Sequence, residues 1–573
     1  MFVGAISSIV TIVIPVVLIV WAVRRFGDRS ESGWADGHSV RRFFHYLLLY
    51  ALMVVAATGL SGLLGLLFHA PVVAGDDRSA LARGLTFSVF GIPMFVLLAA
   101  WSKRRLQRDP DESRSIGWAC YVTITPLTAL IVAMTSLHSV VSAAAGGRRL
   151  DWPALAQFAV WFLVWLVHWI VAKRMLDATR RQAQLALGSV IGLGVCVAGL
   201  ITLLAASLET LLLDETGTLL AEQEPALARA AATLVVGAPV WAGYWLATFA
   251  KVPRTPLWFG YVLPVGVGGS LVLAVAGAST ALYQLLVWLV GDPASTQAAQ
   301  HFGSTPTAAA CAVVGAVSWW YHRQVLAAAT PERTEITRVY DYLMTGIALL
   351  AAGTGVATVV AALLESLIAE AALGVGTSPL NSLLSGSTLL VVGGPLWWIF
   401  WSGVDRATRA DSRAELASPV RRTFLFVLFG IGGVIAVLGV LVAAFLGIQG
   451  ALQGGVDADV LRDMQVPVAI LLATGAISGY HWAVYRRDRS RLPVSTPRPG
   501  PRYVLLVGAA DEHVGGAIER RTGARVDLWV RADGLAEPWG VDEVVDAVNG
   551  SQADAVAVIA GPAGLETVGM HRR

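Results

Sequence analysis

Six times along this chain a hydrophobic stretch ends in tryptophans and runs directly into arginine or lysine. The clearest copies read Gly237-Ala-Pro-Val-Trp241-Ala-Gly-Tyr244-Trp245 before Lys251, and Gly393-Gly-Pro-Leu-Trp397-Trp-Ile-Phe400-Trp401 before Arg406. A third runs from Trp161 through Trp165 and His168 to Trp169, before Lys173; looser copies lie at Gly315–Arg323, Thr474–Trp482 and Pro93–Trp101. Counted from Pro93, Trp161, Gly237, Gly315, Gly393 and Thr474, the copies begin 68, 76, 78, 78 and 81 residues apart. A recurring period of this kind builds a fold from copies of one supersecondary unit. It sets an architecture and leaves the activity open.

The copies sit in a chain that is 56% hydrophobic and only 14% charged, with a mean hydropathy of +0.65. Soluble domains carry about a quarter charged residues. Apolar runs of membrane-spanning length, about 20 residues, recur throughout. Thirteen can be counted, from 3–23 to 467–485. The expected fold is therefore an all-α polytopic membrane bundle of about 13 transmembrane helices. One leading helix and basic loop (1–40) precede six tandem hairpins within 41–485, at about 41–105, 115–175, 181–251, 257–323, 338–405 and 422–487. In each, the first helix reads as long and the second as shorter and Trp-bearing. Arginines follow the run at 3–23 instead of preceding it, the reverse of a secretory signal, so it reads as a retained helix.

Charge sets the expected orientation. Alternate loops hold Arg24, Arg25, Arg29, Arg41 and Arg42; Lys103 to Arg114; Lys173, Arg174, Arg180 and Arg181; Lys251 and Arg254; Arg323, Arg333 and Arg338; Arg406 to Arg422; and Arg486 to Arg491. The opposite loops hold only Arg78, Arg83, Arg148, Arg149, Arg229 and Arg462. The positive-inside rule places the Arg-rich set in the cytoplasm and the N-terminus outside. Each unit crosses twice, so the repeats are parallel, unlike the inverted repeats of many secondary transporters. Only Lys103, Lys173 and Lys251 are lysines among 42 basic residues, a bias that points to a GC-rich bacterial genome and a bacterial plasma membrane.

After Tyr485 the composition changes. A Pro/Arg-rich linker (486–501) leads to a small cytosolic α/β domain (502–573). Strands are predicted at 503–507, 525–530, 555–559 and 566–570, and helices at 512–522 and 541–549. The loop Gly508 to Gly516 is neither a dinucleotide fingerprint nor a Walker loop, and Asp511 reads as a helix N-cap.

The paired tryptophans lie four residues apart, on one helix face near the arginines, as an interfacial aromatic belt would. The Gly and Pro before them suit close helix approach or a kink. His168, His322 and His481 occupy one motif position that Tyr244, Phe400 and Ala100 fill elsewhere, which favours an aromatic slot over a haem or metal pocket. Arg42 before Tyr46, Arg338 before Tyr342 and Arg422 before Phe426 read as headgroup anchors, with anionic lipid headgroups as expected partners. Glu209, Glu365 and Gln284 fall near the outer ends of their helices, so mid-membrane charge of the kind transport uses is scarce. Cys120, Cys196 and Cys311 read as small buried residues. No catalytic, cofactor-binding or metal-binding residue is assigned.

The Gly-x-Pro-x-Trp-x-x-x-Trp endings and the Arg-initiated aromatic starts resemble the bacterial membrane family DUF5671 across most of residues 40–490, best at 237–245 and 393–401. The tail's Gly523-Ala-Arg-Val-Asp-Leu-Trp-Val-Arg-Ala-Asp is similar to tails in such proteins. The resemblance implies an integral membrane protein and carries over no activity or site. The leading expectation is a non-enzymatic scaffold or sensor coupling the bundle to the cytosolic domain, which could bind a protein partner. The alternative is a transporter or lipid-handling protein. No nucleic-acid partner is expected, and the oligomeric state is open.

Overall fold

A computed structural model of the chain describes residues 37–68, 76–176, 178–212, 220–328, 333–369, 378–455, 457–491, 500–533, 535, 537–551, 553–562 and 564–571. The expected leading helix at 3–23 and residues 492–499 of the 486–501 linker lie outside the described residues, and 486–491 continue the last long helix. The chain forms two compact units, 1–486 and 487–573.

The first unit is built of long helices that follow one another as six antiparallel pairs. The first pair is α1 (Gly37–Phe68) and α2, which runs Asp76–Thr86, through a π-helical turn Phe87–Gly91, into Ile92–Arg108. Next come α3 (Ile116–Ala145) with α4 (Trp152–Met175), then α5 (Ala178–Leu212) with α6 (Leu220–Trp241), which ends in a π-helical turn Ala242–Leu246. Helix α7 (Pro256–Tyr261, a π-helical stretch Val262–Gly269, then Ser270–Val290) pairs with α8 (Thr305–Ala327). The last pairs are α9 (Glu335–Ala369) with α10 (Pro379–Ala410), and α11 (Pro419–Leu452) with α12 (Ala458–Arg491). Each π-helical stretch has a proline beside or within it (Pro93, Pro239 and Pro264), a residue that removes a backbone donor from the helical ladder.

Eleven of these helices are long and apolar enough to cross a membrane, the architecture of a multi-pass membrane protein. That differs from the expected thirteen. One expected span is outside the described residues, and Thr305–Ala327, though helical, is too short of strongly apolar residues to qualify. The expected long-then-short asymmetry also fails in the first and last hairpins, where Gly37–Phe68 (32 residues) pairs with the longer run Asp76–Arg108 and 34 residues pair with 34.

Glycine sets the intimacy of the pairs. A Cβ added to Gly237 would come within 2.6 Å of the Cys196 backbone N; on Gly315, within 2.6 Å of Ala274 N; on Gly393, within 2.7 Å of Ala352 N. Three motif copies thus open on a glycine because helix backbones touch there, the small-residue packing that lets helices associate in lipid. Consecutive hairpins pack on one another: α1 on α3 and α4, α3 on α5 and α6, α5 on α8, α7 on α10, and α9 on α11.

The second unit is a four-stranded sheet with two helices. Strands β1 (Tyr503–Gly508), β2 (Arg525–Val530), β3 (Ala555–Gly561) and β4 (Gly564–Met570) lie in the order β2-β1-β3-β4. β1 pairs in parallel with β2 and β3, and β4 closes antiparallel on β3. Helices α13 (Glu512–Thr522) and α14 (Val541–Asn549) supply Ile518, Val544 and Val548 to a core with Val504, Leu506, Val556 and Val558. Asp511 caps α13 by accepting the His513 N–H at 2.9 Å, and Gly523 ends it at φ 73°.

Candidate functional site

The motif residues gather in the arginine-rich ends of the hairpins, and there the expected aromatic belt is largely turned inward. Trp161, Trp245, Trp258 and Trp401 are buried, with Trp245 completely so. Trp101, Trp320, Trp398 and Trp482 are the exposed members, Trp398 at 65%. Indole N–H groups out of water need acceptors, and for Trp165, Trp245 and Trp401 a tyrosine on the next hairpin supplies one, whereas the buried Nε1 of Trp161 and of Trp258 has no hydrogen-bond partner among the described residues. Trp165 Nε1 donates to Tyr244 Oη at 2.8 Å, Trp245 Nε1 to Tyr321 Oη at 3.0 Å, and Trp401 Nε1 to Tyr480 Oη at 2.8 Å. These bonds join the second hairpin to the third, the third to the fourth, and the fifth to the sixth.

The three motif histidines are not brought together. Each is buried in a different hairpin, and each Nδ1 lies 2.8 Å from the carbonyl oxygen one turn back: Val164, Ser318 and Ile477. A carbonyl only accepts, so Nδ1 carries the proton and Nε2 of the neutral ring is an acceptor. In the second hairpin Tyr121 Oη donates to His168 Nε2 at 2.9 Å, and in the fourth Tyr261 Oη lies 3.4 Å from His322 Nε2. Tyr261 also accepts from Trp241 Nε1 at 3.1 Å, giving a chain Trp241 to Tyr261 to His322 to Ser318 in which every donor has an acceptor. Among the described residues no three His, Cys, Asp or Glu side chains gather in a way that could hold a metal ion.

In the sixth hairpin the partner is a phenylalanine. Tyr121 stands six residues after its helix N-cap Ser115, Tyr261 six after Thr255, and Phe424 six after Ser418. The Phe424 ring lies 6.2 Å from His481, edge-on, and His481 Nε2 is buried with no partner among the described residues. Phe424→Tyr is therefore expected to stabilise the protein by about 1 kcal/mol, because it supplies the missing donor. A higher thermal unfolding midpoint in detergent would show this. A lower one would mean the slot has no room for the hydroxyl.

Arg42 and Arg338, expected as headgroup anchors, instead hold two buried carboxylates. Short helices Pro110–Arg114 and Ser412–Ala417 connect the first hairpin to the second and the fifth to the sixth. Each begins with a capping aspartate, Asp109 or Asp411, and each is followed by a serine, Ser115 or Ser418, that caps the next long helix. Between cap and serine sit Glu112 and Glu415, each 1% exposed. Arg42 Nε donates to Glu112 at 3.0 Å, and Arg42 also reaches Asp109 at 2.9 Å. Glu415 accepts from Arg333 at 2.6 Å and Arg338 at 2.9 Å. Burial raises the Glu415 carboxyl, but the hydrogen bonds from Arg333 and Arg338 outweigh it and leave it below the ordinary carboxylate value. Arg422, the third expected anchor, donates to the Leu416 carbonyl at 3.3 Å. The sequence reading missed these clasps; the repeated order Asp, Glu, Ser between a Trp-rich helix end and the next apolar run was the available signal.

Cavities complete the picture. An apolar cleft of about 320 Å³ lies among α3, α4 and the end of α6, and a second of about 660 Å³ is lined by α9, α10 and Ile477. A third, about 610 Å³ and more polar, is lined by Ser61, Arg83, Ser139, Asp151 and Gln157 towards the opposite ends of the first two hairpins. Of the expected outer-rim residues, Gln284 donates to Ser304 Oγ at 3.1 Å and Glu209 is exposed. In the α/β unit, Trp539 donates to the Ala509 carbonyl at 2.8 Å and lies over Gly508. It covers the carboxyl end of β1, where open α/β sheets bind ligands.

A family model described as Domain of unknown function (DUF5671) matches residues 42–151, 182–256 and 338–476, together more than half of the chain. No match was found among curated proteins or solved structures. The three matched stretches open near the starts of α1, α5 and α9, at every second hairpin.

Proposed function

The chain belongs to the DUF5671 family, and on that premise we propose that it is a non-enzymatic scaffold or sensor of a bacterial plasma membrane, with the α/β domain on the cytoplasmic side. The observation that carries this reading is the run of Trp–Tyr hydrogen bonds from one hairpin to the next. Directional bonds between large rings, of which Tyr244, Trp245 and Trp401 are buried, tie neighbouring hairpins in one arrangement, which suits a rigid framework better than a path that must open and close. The scaffold is read as three four-helix modules. The second, fourth and sixth hairpins bear His168, His322 and His481, while the first, third and fifth bear Pro93, Pro239 and Pro395 in the second helix. The family matches restart with the same spacing.

A cryo-EM map of the full-length protein in nanodiscs tests the proposal. The expected result is a dry, closely packed bundle with lipid at its periphery; a water-filled passage crossing the midplane would overturn it. Orientation is tested by reporter fusions. A cytoplasm-active reporter at the C-terminus is expected to work, and an export-dependent one inserted at Gly147 is expected to be active. The second reading, lipid handling, is favoured by the two apolar clefts beside Pro239 and Pro395.

A further inference from the structure

The 320 Å³ cleft has a shape and a charge environment that the scaffold reading does not use. One wall is a stripe along α4 formed by Phe158, Phe162, Trp165 and Trp169, and the facing wall is made by Pro239 and Gly243. Phe158 to Trp169 is eleven residues of helix, about 16 Å at 1.5 Å per residue. That is about half of a ~30 Å hydrocarbon core, the depth of one leaflet. The flanking residues Phe162, Leu163, Val167 and Val235 are between 42% and 58% exposed, so the cleft opens sideways onto an apolar surface.

Its upper end is cationic. The Arg181 guanidinium lies 5.2 Å over the ring of Trp169, and its Nε is buried without a hydrogen-bond partner among the described residues. Lys173 and Arg174, one turn beyond Trp169, are exposed. Arg180, by contrast, is engaged with the Ser113 carbonyl at 3.1 Å. A half-bilayer apolar slot that ends at a partly buried guanidinium matches one molecular shape, an acyl chain joined to an anionic phosphate. The glycine keeps the slot open. A Cβ at Gly243 would meet no atom within 4 Å.

We propose that this cleft is a binding site for an anionic phospholipid of the leaflet at the arginine-rich end, with one acyl chain against Trp165 and the phosphate at Arg181, Lys173 and Arg174. It depends on the membrane-spanning architecture and not on the scaffold reading, so each can fail alone.

Native mass spectrometry of the full-length protein, titrated in detergent with dioleoyl phosphatidylglycerol or dioleoyl phosphatidylcholine, tests it. Wild type is expected to retain phosphatidylglycerol the more tightly. Arg181→Gln should erode that preference by on the order of fivefold, the worth of one cation near a lipid surface. Gly243→Leu, which fills the slot, should lose one bound lipid of either kind. Phe162→Trp, which narrows the slot from the other wall, should weaken binding of both and guards against a folding defect in the glycine variant. An unchanged lipid count in both slot-filling variants, or an unchanged preference in Arg181→Gln, would overturn the proposal.

Discussion

Glu415→Ala is expected to destabilise the bundle by about 3–5 kcal/mol, the range for removing one partner of a buried ion pair. The carboxylate is 1% exposed and is shared by Arg333 and Arg338, and the Arg338 side chain is itself only 9% exposed. Deleting it leaves two guanidinium groups together, one of them out of water, with Asp341 and Glu335 as their acidic partners among the described residues. Glu415→Gln keeps an acceptor oxygen and should lose less. The acid limb provides a second signature. The folded-state value of this carboxyl is depressed, so its contribution is present above its ordinary value of 4.5 and is lost as pH falls through the folded value. Thermal unfolding in detergent at pH 7 should show the full gap between wild type and Glu415→Ala, and the gap should narrow in acid. A gap that holds constant down to pH 3 would mean the effect is packing and not charge.

The clasp also marks where the sequence stopped being legible. Apolar run lengths located the long helices, because a helix that crosses lipid has to satisfy its own backbone over about 20 residues. The α/β unit was equally readable. Alternation in Tyr503 to Val507, the Asp511 cap and the αL glycine Gly523 are local signals, and β1, α13 and β2 lie where those signals put them. Which side of a membrane helix faces protein is a different matter. Hydrophobicity carries no inside–outside contrast when the solvent is as apolar as the core. Trp398 and Trp401, three residues apart, are alike in composition and opposite in burial. The arginines failed for a related reason. A guanidinium at a helix start looks the same whether it meets a lipid phosphate or Glu112 seventy residues on, and only the fold brings that carboxylate to Arg42. The histidines were found, but their partners Tyr121 and Tyr261 were not, although a constant six-residue offset from a Ser or Thr at the N-cap position was there to read.

The inward-facing tryptophans can be separated from belt residues by substitution. Trp245→Ala is expected to lower stability by about 3–5 kcal/mol, as for other large aromatic truncations in packed interiors. Trp245 is fully buried against Phe249, Trp258, Tyr261 and His322, and its Nε1 donates to Tyr321 Oη. Trp398→Ala, at a site 65% exposed, is expected to change stability by no more than about 0.5 kcal/mol. A belt would predict similar, small effects at both positions. Adding Tyr321→Phe isolates the bond between the third and fourth hairpins. If the Trp–Tyr contact ties them, Trp245→Phe and Tyr321→Phe should each destabilise, and the double variant should lose less than their sum, since each removes the same hydrogen bond. Strict additivity in that cycle would reduce the bond to a coincidence of packing, and with it the rigid link between hairpins on which a framework depends.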